Sequence, residues 1–140
     1  MTSLKIGLFV EGLRIGVENG VRRVAELGLP GFQMFTTQGK LTPETLSPAG
    51  RRRFRNFVTS CGLEISATCF HDRGLDDPEQ NPLTLEKLRT NIDLAHDLEV
   101  GIITAHIGAV PEDREGRAWG AMRAALSEIA PYLEARGVVL

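Results

Sequence analysis

Two imidazoles, one carboxylate and one amide stand where chemistry could be done: His71, His106, Glu11 and Gln33. Near neutral pH an imidazole can hold or pass a proton, or lend a neutral nitrogen to a divalent ion. A carboxylate can accept from hydroxyls or act as acid or base, and an amide can both donate to and accept from a polyol. None of these side chains does this alone, and each has an ordinary alternative. His106 could be a core histidine satisfied by a carbonyl or hydroxyl, His71 an exposed loop residue, and Gln33 a structural amide in a lower layer. What separates the readings is whether the local elements bring them to one surface.

The elements can be read from spacing. Leu4 to Val10 is a short apolar run, and Val17, Val21, Val24 and Leu27 then recur at helical spacing before Gly28. Gly31 to Phe35 predicts a second strand. Ser47 and Pro48 form a cap and first-turn pair for a helix turning Phe54, Phe57, Val58 and Cys61 inward and stopping at Gly62. Leu63 to Phe70 predicts a third strand, and Leu85, Leu88, Ile92 and Ala95 a helix beginning near Thr84. Gly101 opens the fourth strand, GIITAHI. A long helix then carries Trp119, Met122, Leu126, Ile129 and Leu133 towards Arg136, with Pro131 expected to kink or split it. Gly137 starts a fifth strand.

Strand and helix thus alternate, which implies right-handed crossovers, a parallel sheet and the α/β class. Helix-to-strand joints are short, around Gly28, Gly62, Gly101 and Gly137, whereas the strand-to-helix segments 11–16, 36–46, 71–82 and 108–115 are long. In parallel α/β proteins those long joints lie at the carboxyl ends of the strands, the ligand-binding side. Two architectures fit, a five-stranded doubly wound domain and the amino-terminal half of a (β/α)8 TIM barrel. The barrel takes roughly 250 residues in full. Because the chain stops inside an apolar run with no closing helix, the half barrel, a single partial domain over residues 1–140, is the expectation.

Alternation places the candidates. In the first strand Leu4, Ile6, Leu8 and Val10 share the helix-facing parity, and Glu11 emerges at the mouth. In the second, Phe32 and Met34 face the helices, leaving Gln33 and Phe35 on the barrel axis. In the fourth, Ile102, Thr104 and His106 point to the axis. Strict alternation from Ile65, Ala67 and Cys69 would send His71 outward, although the loop it opens can turn it back. Both histidines end adjacent strands on the same face, so they can converge on one ligand or metal.

The composition narrows the function. The chain has 140 residues, 42% hydrophobic and 24% charged, enough for one core. A net charge of −2 gives no surplus of cations for holding a phosphate backbone, so no nucleic-acid partner is expected. No stretch resembles a signal h-region or a membrane span, and Cys61 and Cys69 match neither a zinc spacing nor a disulfide scaffold. They read as small buried hydrophobes in a reducing compartment, and a cytoplasmic protein with no membrane partner is expected. Asp72, Asp76 and Asp77 read as a solvated acidic loop in preference to a cation site. Arg51, Arg52, Arg53 and Arg55 read as a solvated helix face, and His96 as a solvent residue without a partner. No G-x-G-x-x-G, P-loop or G-x-S-x-G pattern is present, which removes support for dinucleotide, nucleoside triphosphate and serine-hydrolase sites.

The stretches KIGLFVEG, GFQMFTTQG, LEISATCFHD, TAHIGAVPED and ALSEIAPYLEARGVVL together resemble the amino-terminal half of the xylose-isomerase-like TIM barrels, over essentially all 140 residues. That group holds sugar phosphate isomerases and epimerases together with zinc-dependent apurinic endonucleases. The resemblance implies a histidine at the end of strand three and another at the end of strand four, lining the substrate or a second metal. His71 and His106 occupy those places. It further implies a divalent ion (Mn, Co, Mg or Zn) held by carboxylates and a histidine of strands five to eight, and glutamates on strands five and eight as acid and base. The strand-five glutamate would fall a few residues beyond Leu140. The expectation is therefore a fragment of an isomerase or epimerase: a wall for a small sugar or polyol made by His71, His106, Glu11 and Gln33. It would carry no catalytic residue or metal ligand of its own and bind the ion weakly at best. Homo-oligomers through the open barrel edges are expected. The alternatives are the endonuclease, which should show more basic loops, and a non-catalytic half barrel that binds or assembles.

Overall fold

The structure is a computed structural model that describes residues 6–140, so Leu4 and Lys5 of the expected first strand lie outside the described residues. The elements in order are β1 (Gly7–Phe9), a 3-10 turn (Val10–Leu13), α1 (Val17–Glu26), β2 (Gly31–Phe35), α2 (Pro48–Ser60), β3 (Glu64–Phe70), α3 (Asn81–Asp97), β4 (Ile103–Ala105) and α4 (Arg117–Arg136). The strands pair in parallel in the order β1-β2-β3-β4. A fifth strand begins beside β4, where Ile102 bridges Val139 and Ile103 N–H donates to Val139 O at 2.8 Å. This order is that of half a TIM barrel and not that of the doubly wound alternative.

Helices cover one face of the sheet. Phe32 and Met34 of β2, Thr68 and Phe70 of β3 and Ile103 of β4 are buried against Val21 and Val24 of α1, Val58 of α2, Leu85, Leu88 and Ile92 of α3, and Met122 and Ile129 of α4. Each fully buried Leu or Ile here contributes roughly 1.5–3 kcal/mol of transfer free energy. The opposite parity, with Phe9, Gln33, Phe35, Cys69, Ile102 and Thr104, is half-buried or exposed on the concave side.

Local chemistry sets the boundaries. Ser47 caps α2, its Oγ accepting from Gly50 N–H at 3.1 Å, with Pro48 in the first turn. The joints at Gly28, Gly62 and Gly137 take positive φ. The third helix starts earlier than its stripe of leucines suggests. Asn81 and Pro82 form its first turn, where a proline gives up no needed N–H, and Thr84 lies buried inside it. Nor does Pro131 split α4, which runs unbroken for 20 residues.

One departure re-aims part of the sheet. Phe32 pairs with Ile65 but Gln33 pairs with Ala67, so Ser66 is an extra residue in β3, a β-bulge whose Oγ donates to Phe32 O at 3.0 Å. Ile65 and Ala67 therefore lie on opposite faces. Beyond the bulge Ala67, Cys69 and His71 share the axial parity, reversing the outward direction that strict alternation gives His71. At the start of the same pairing, Gly31 runs so close to β3 that a Cβ there would lie 2.5 Å from Glu64 O.

Candidate functional site

The axial wall is built in levels by the parallel register. Phe9, Gln33 and Ala67 share one level, and Phe35, Cys69 and Thr104 the next. His71 and His106 stand two residues beyond Cys69 and Thr104, at the carboxyl ends of β3 and β4. Their ring centroids are 6.1 Å apart with planes tilted by 57°, close enough for one nitrogen of each to reach a shared hydroxyl or ion. Both side chains are exposed, and among the described residues neither has a hydrogen-bond partner. That removes the satisfied core histidine as an account of His106. Beneath them Phe9 and Phe35 stack at 4.7 Å and 15°.

The loops carrying the histidines are clasped together. Leu75 N–H donates to Ile107 O at 2.8 Å, and Gly74 passes so near β4's loop that a Cβ on it would sit 2.8 Å from Gly108 Cα. The segment after His71 is thus held against the segment after His106, which fixes the spacing of the pair.

Glu11 lies at the mouth, in the 3-10 turn that follows β1. Its Oε1 accepts from Phe35 N–H at 3.0 Å, taking the place of a ladder carbonyl where β1 has turned away from β2. Its Oε2 is buried without a partner among the described residues. Burial raises the carboxyl above its ordinary range, opposed in part by hydrogen bonds from its own backbone and from Phe35. Gln33 faces the axis as expected but two levels below the histidines, half-buried and with no hydrogen-bond partner among the described residues.

Several neighbouring residues serve the fold. Asp72 pairs with Lys87 at 2.8 Å, and the hydrogen bond from that lysine lowers its carboxyl below the usual range. Asp77 caps the turn into α3 through Glu79 N–H. Arg51 is not a solvated surface residue. Its side chain, 13% exposed, donates to Leu46 O and Pro43 O and pairs with Asp97, strapping the β2–α2 loop to α2 and α3. His96 is exposed yet not partnerless, for its Nδ1 lies 3.0 Å from Arg136 O at the end of α4. Cys61 and Cys69 are free and half-buried; Cys61 packs against the core as a small hydrophobe should, whereas the bulge puts Cys69 on the axial wall. No sequence signal marks that placement, because the bulge depends on how β2 and β3 pair.

The two imidazoles do not make a metal centre by themselves. Among the described residues no three or more His, Cys, Asp or Glu side chains are grouped to hold an ion, and a catalytic zinc takes three protein ligands.

A curved parallel sheet with helices outside and polar side chains at the strands' carboxyl ends defines the class, a TIM-barrel half with an open ligand wall. The xylose isomerase-like TIM barrel family matches residues 21–140, and the chain belongs to that family. It is similar to the solved structure of a xylose isomerase domain protein from Planctomyces limnophilus (18% identity, TM-score 0.80), covering 96% of this chain and 52% of that one. It is similar also to D-psicose 3-epimerase with D-tagatose from Clostridium cellulolyticum H10 (16%, TM-score 0.77, covering 96% and 50%). A third likeness is to a sugar phosphate isomerase/epimerase from Parabacteroides distasonis ATCC 8503 (16%, TM-score 0.68, covering 99% and 50%). The chain spans about half the length of these structures, and at such identities the likeness concerns the fold. The comparison with curated proteins returns no match. Among the described residues no helix is long and apolar enough to cross a membrane.

Proposed function

We propose that this chain is the substrate wall of a sugar isomerase or epimerase, in which a proton is moved beside a sugar carbonyl. The observation that carries this reading is the meeting of two unpartnered imidazoles, His71 and His106, above an aromatic floor in this family's barrel. They would orient hydroxyls of the open or cyclic sugar and stabilise charge on an enediolate oxygen, roles that an imidazole edge fills as donor or acceptor. Glu11, its Oε1 held by Phe35 N–H, would border the sugar at the mouth, and Gln33 would close the lower end. A divalent ion (Mn, Co, Mg or Zn), when supplied by ligands outside this wall, would polarise the sugar oxygens. On this reading the ion's ligands and the proton-moving carboxylates would come from outside this wall, and the 140-residue chain alone should bind without turnover. Two free thiols support a cytoplasmic setting.

The test uses the 140-residue chain with a panel of ketoses and aldoses and each metal in turn. Millimolar binding that shifts the imidazole NMR signals of His71 and His106, weakened about tenfold in His71→Ala and His106→Ala, is the expected result, with no turnover. Robust turnover would overturn the assignment of the chain as a wall. Cleavage of abasic-site DNA would replace the reading with the endonuclease one.

A further inference from the structure

We propose a second ligand site on the outer ring, in the cleft between α1 and α2, for a small organic anion with an aromatic or apolar body. The cleft is an open groove of about 800 Å³, within the range of roughly 300–1,000 Å³ usual for small-ligand pockets. Its apolar wall is Phe54 and Phe57 of α2 with Leu41 and Leu46 of the loop before it, and although Gly16 and the 40–46 lining residues come from the strand-to-helix joints, none of His71, His106, Glu11 and Gln33 lines it.

The charge on its rim decides the ligand class. Lys40 and Arg53 line the cleft, and among the described residues neither side chain has an ion-pair partner. Their neighbours on α2 differ: Arg51 is spent on Asp97 and Arg55 on Glu99, both on the side towards α3. Arg22 of α1, outside the lining, stacks its guanidinium 5.1 Å from the centre of the Phe57 ring. Glu18 is the one carboxylate among the lining residues. The rim is therefore net positive in a chain whose overall charge is −2. An acid with no apolar body would gain little from two exposed cations in water. A neutral aromatic would leave both cations unused. A ligand carrying both an anion and a ring satisfies the wall and the rim together. An acidic protein segment is disfavoured because the cleft has the dimensions of a small molecule.

The probe is anilinonaphthalene sulfonate, followed by its fluorescence and by amide NMR of the protein. Binding should shift the amides of Gly50, Leu41 and Phe54. The double variant Lys40→Ala, Arg53→Ala should bind about tenfold more weakly, as should neutral phenylnaphthylamine with the unaltered chain, while Glu18→Gln should bind about twofold more tightly. Both cations are exposed, so the melting curve of the double variant should be unchanged. If that variant fails to fold, Lys40→Gln and Arg53→Gln singly should each show an intermediate loss. Shifts confined to Phe9, Phe35 and the other concave-face residues, equal affinity in the charge variants, or no shift at millimolar probe would each overturn the proposal.

Discussion

Glu11 shows how one side chain can serve the fold and the wall together. Where β1 turns into its 3-10 segment, Phe35 N–H loses its ladder partner, and Glu11 Oε1 replaces it at 3.0 Å. Burial holds the carboxyl above its ordinary pKa. A carboxyl raised in the folded state favours the protonated form there, so its contribution is complete below the unfolded value, near 4.3, and is lost as pH rises through the folded one. Glu11→Gln keeps an oxygen for Phe35 and removes the charge. It should therefore be more stable than the parent at pH 7, with the difference vanishing at pH 4 in urea titrations at both pH values. An equal difference at the two pH values would show that burial of the charge is not the cause. That Glu11, His71 and His106 close apolar runs was legible in the sequence, and so was their common end of the sheet. The structural use of Arg51 was not, since its partner Asp97 is 46 residues away and nothing local to the arginine run announces it.

At the scale of elements, periodicity and capping residues sufficed for four helices and four strands, whereas pairing between strands did not follow from either strand alone. Ser66 is the instance. Read alone, LEISATCF alternates, but its pairing with β2 absorbs one residue and sends His71 to the axis. The same pairing depends on Gly31, where β2 and β3 approach too closely for a side chain. Gly31→Ala would press its Cβ against Glu64 O, a backbone atom that cannot swing aside. It should cost about 1–3 kcal/mol by urea denaturation. Gly12→Ala, with nothing within 4 Å of its Cβ, should stay within about 0.5 kcal/mol. Equal losses at the two sites would mean that β2 and β3 separate more easily than their register implies.

For the molecule as a whole, the alternation of elements and the contrast of short and long joints gave a parallel α/β sheet that suits either architecture, the strand order β1-β2-β3-β4 decides for the barrel half, and the open concave face follows from it. Ile102 and Val139 are 49% and 67% exposed at one margin, Ile6 is 56% exposed at the other, and Phe9 is 36% exposed on the axial face. Among the described residues, β1 and the fifth-strand start each keep one side of their backbone unpaired by the sheet, and such edges recruit other chains. In a closed barrel these groups find partners, and each one left buried without a partner costs about 1–3 kcal/mol against a domain margin of about 5–15 kcal/mol. The 140-residue chain alone should therefore associate as concentration rises, seen by light scattering during size exclusion. Near-ultraviolet dichroism from Trp119 and Tyr132 reports separately on packing, since Tyr132 donates to Asp93 across the α3–α4 contact on the helix side of the sheet. Replacing Ile102 by Thr and Val139 by Lys should reduce association while leaving that dichroism intact, because an edge charge blocks pairing without touching the helix-side core. A sharp monomer peak with a cooperative melt in the unaltered chain would mean that four strands and their helices are self-sufficient, with the edge groups satisfied by water.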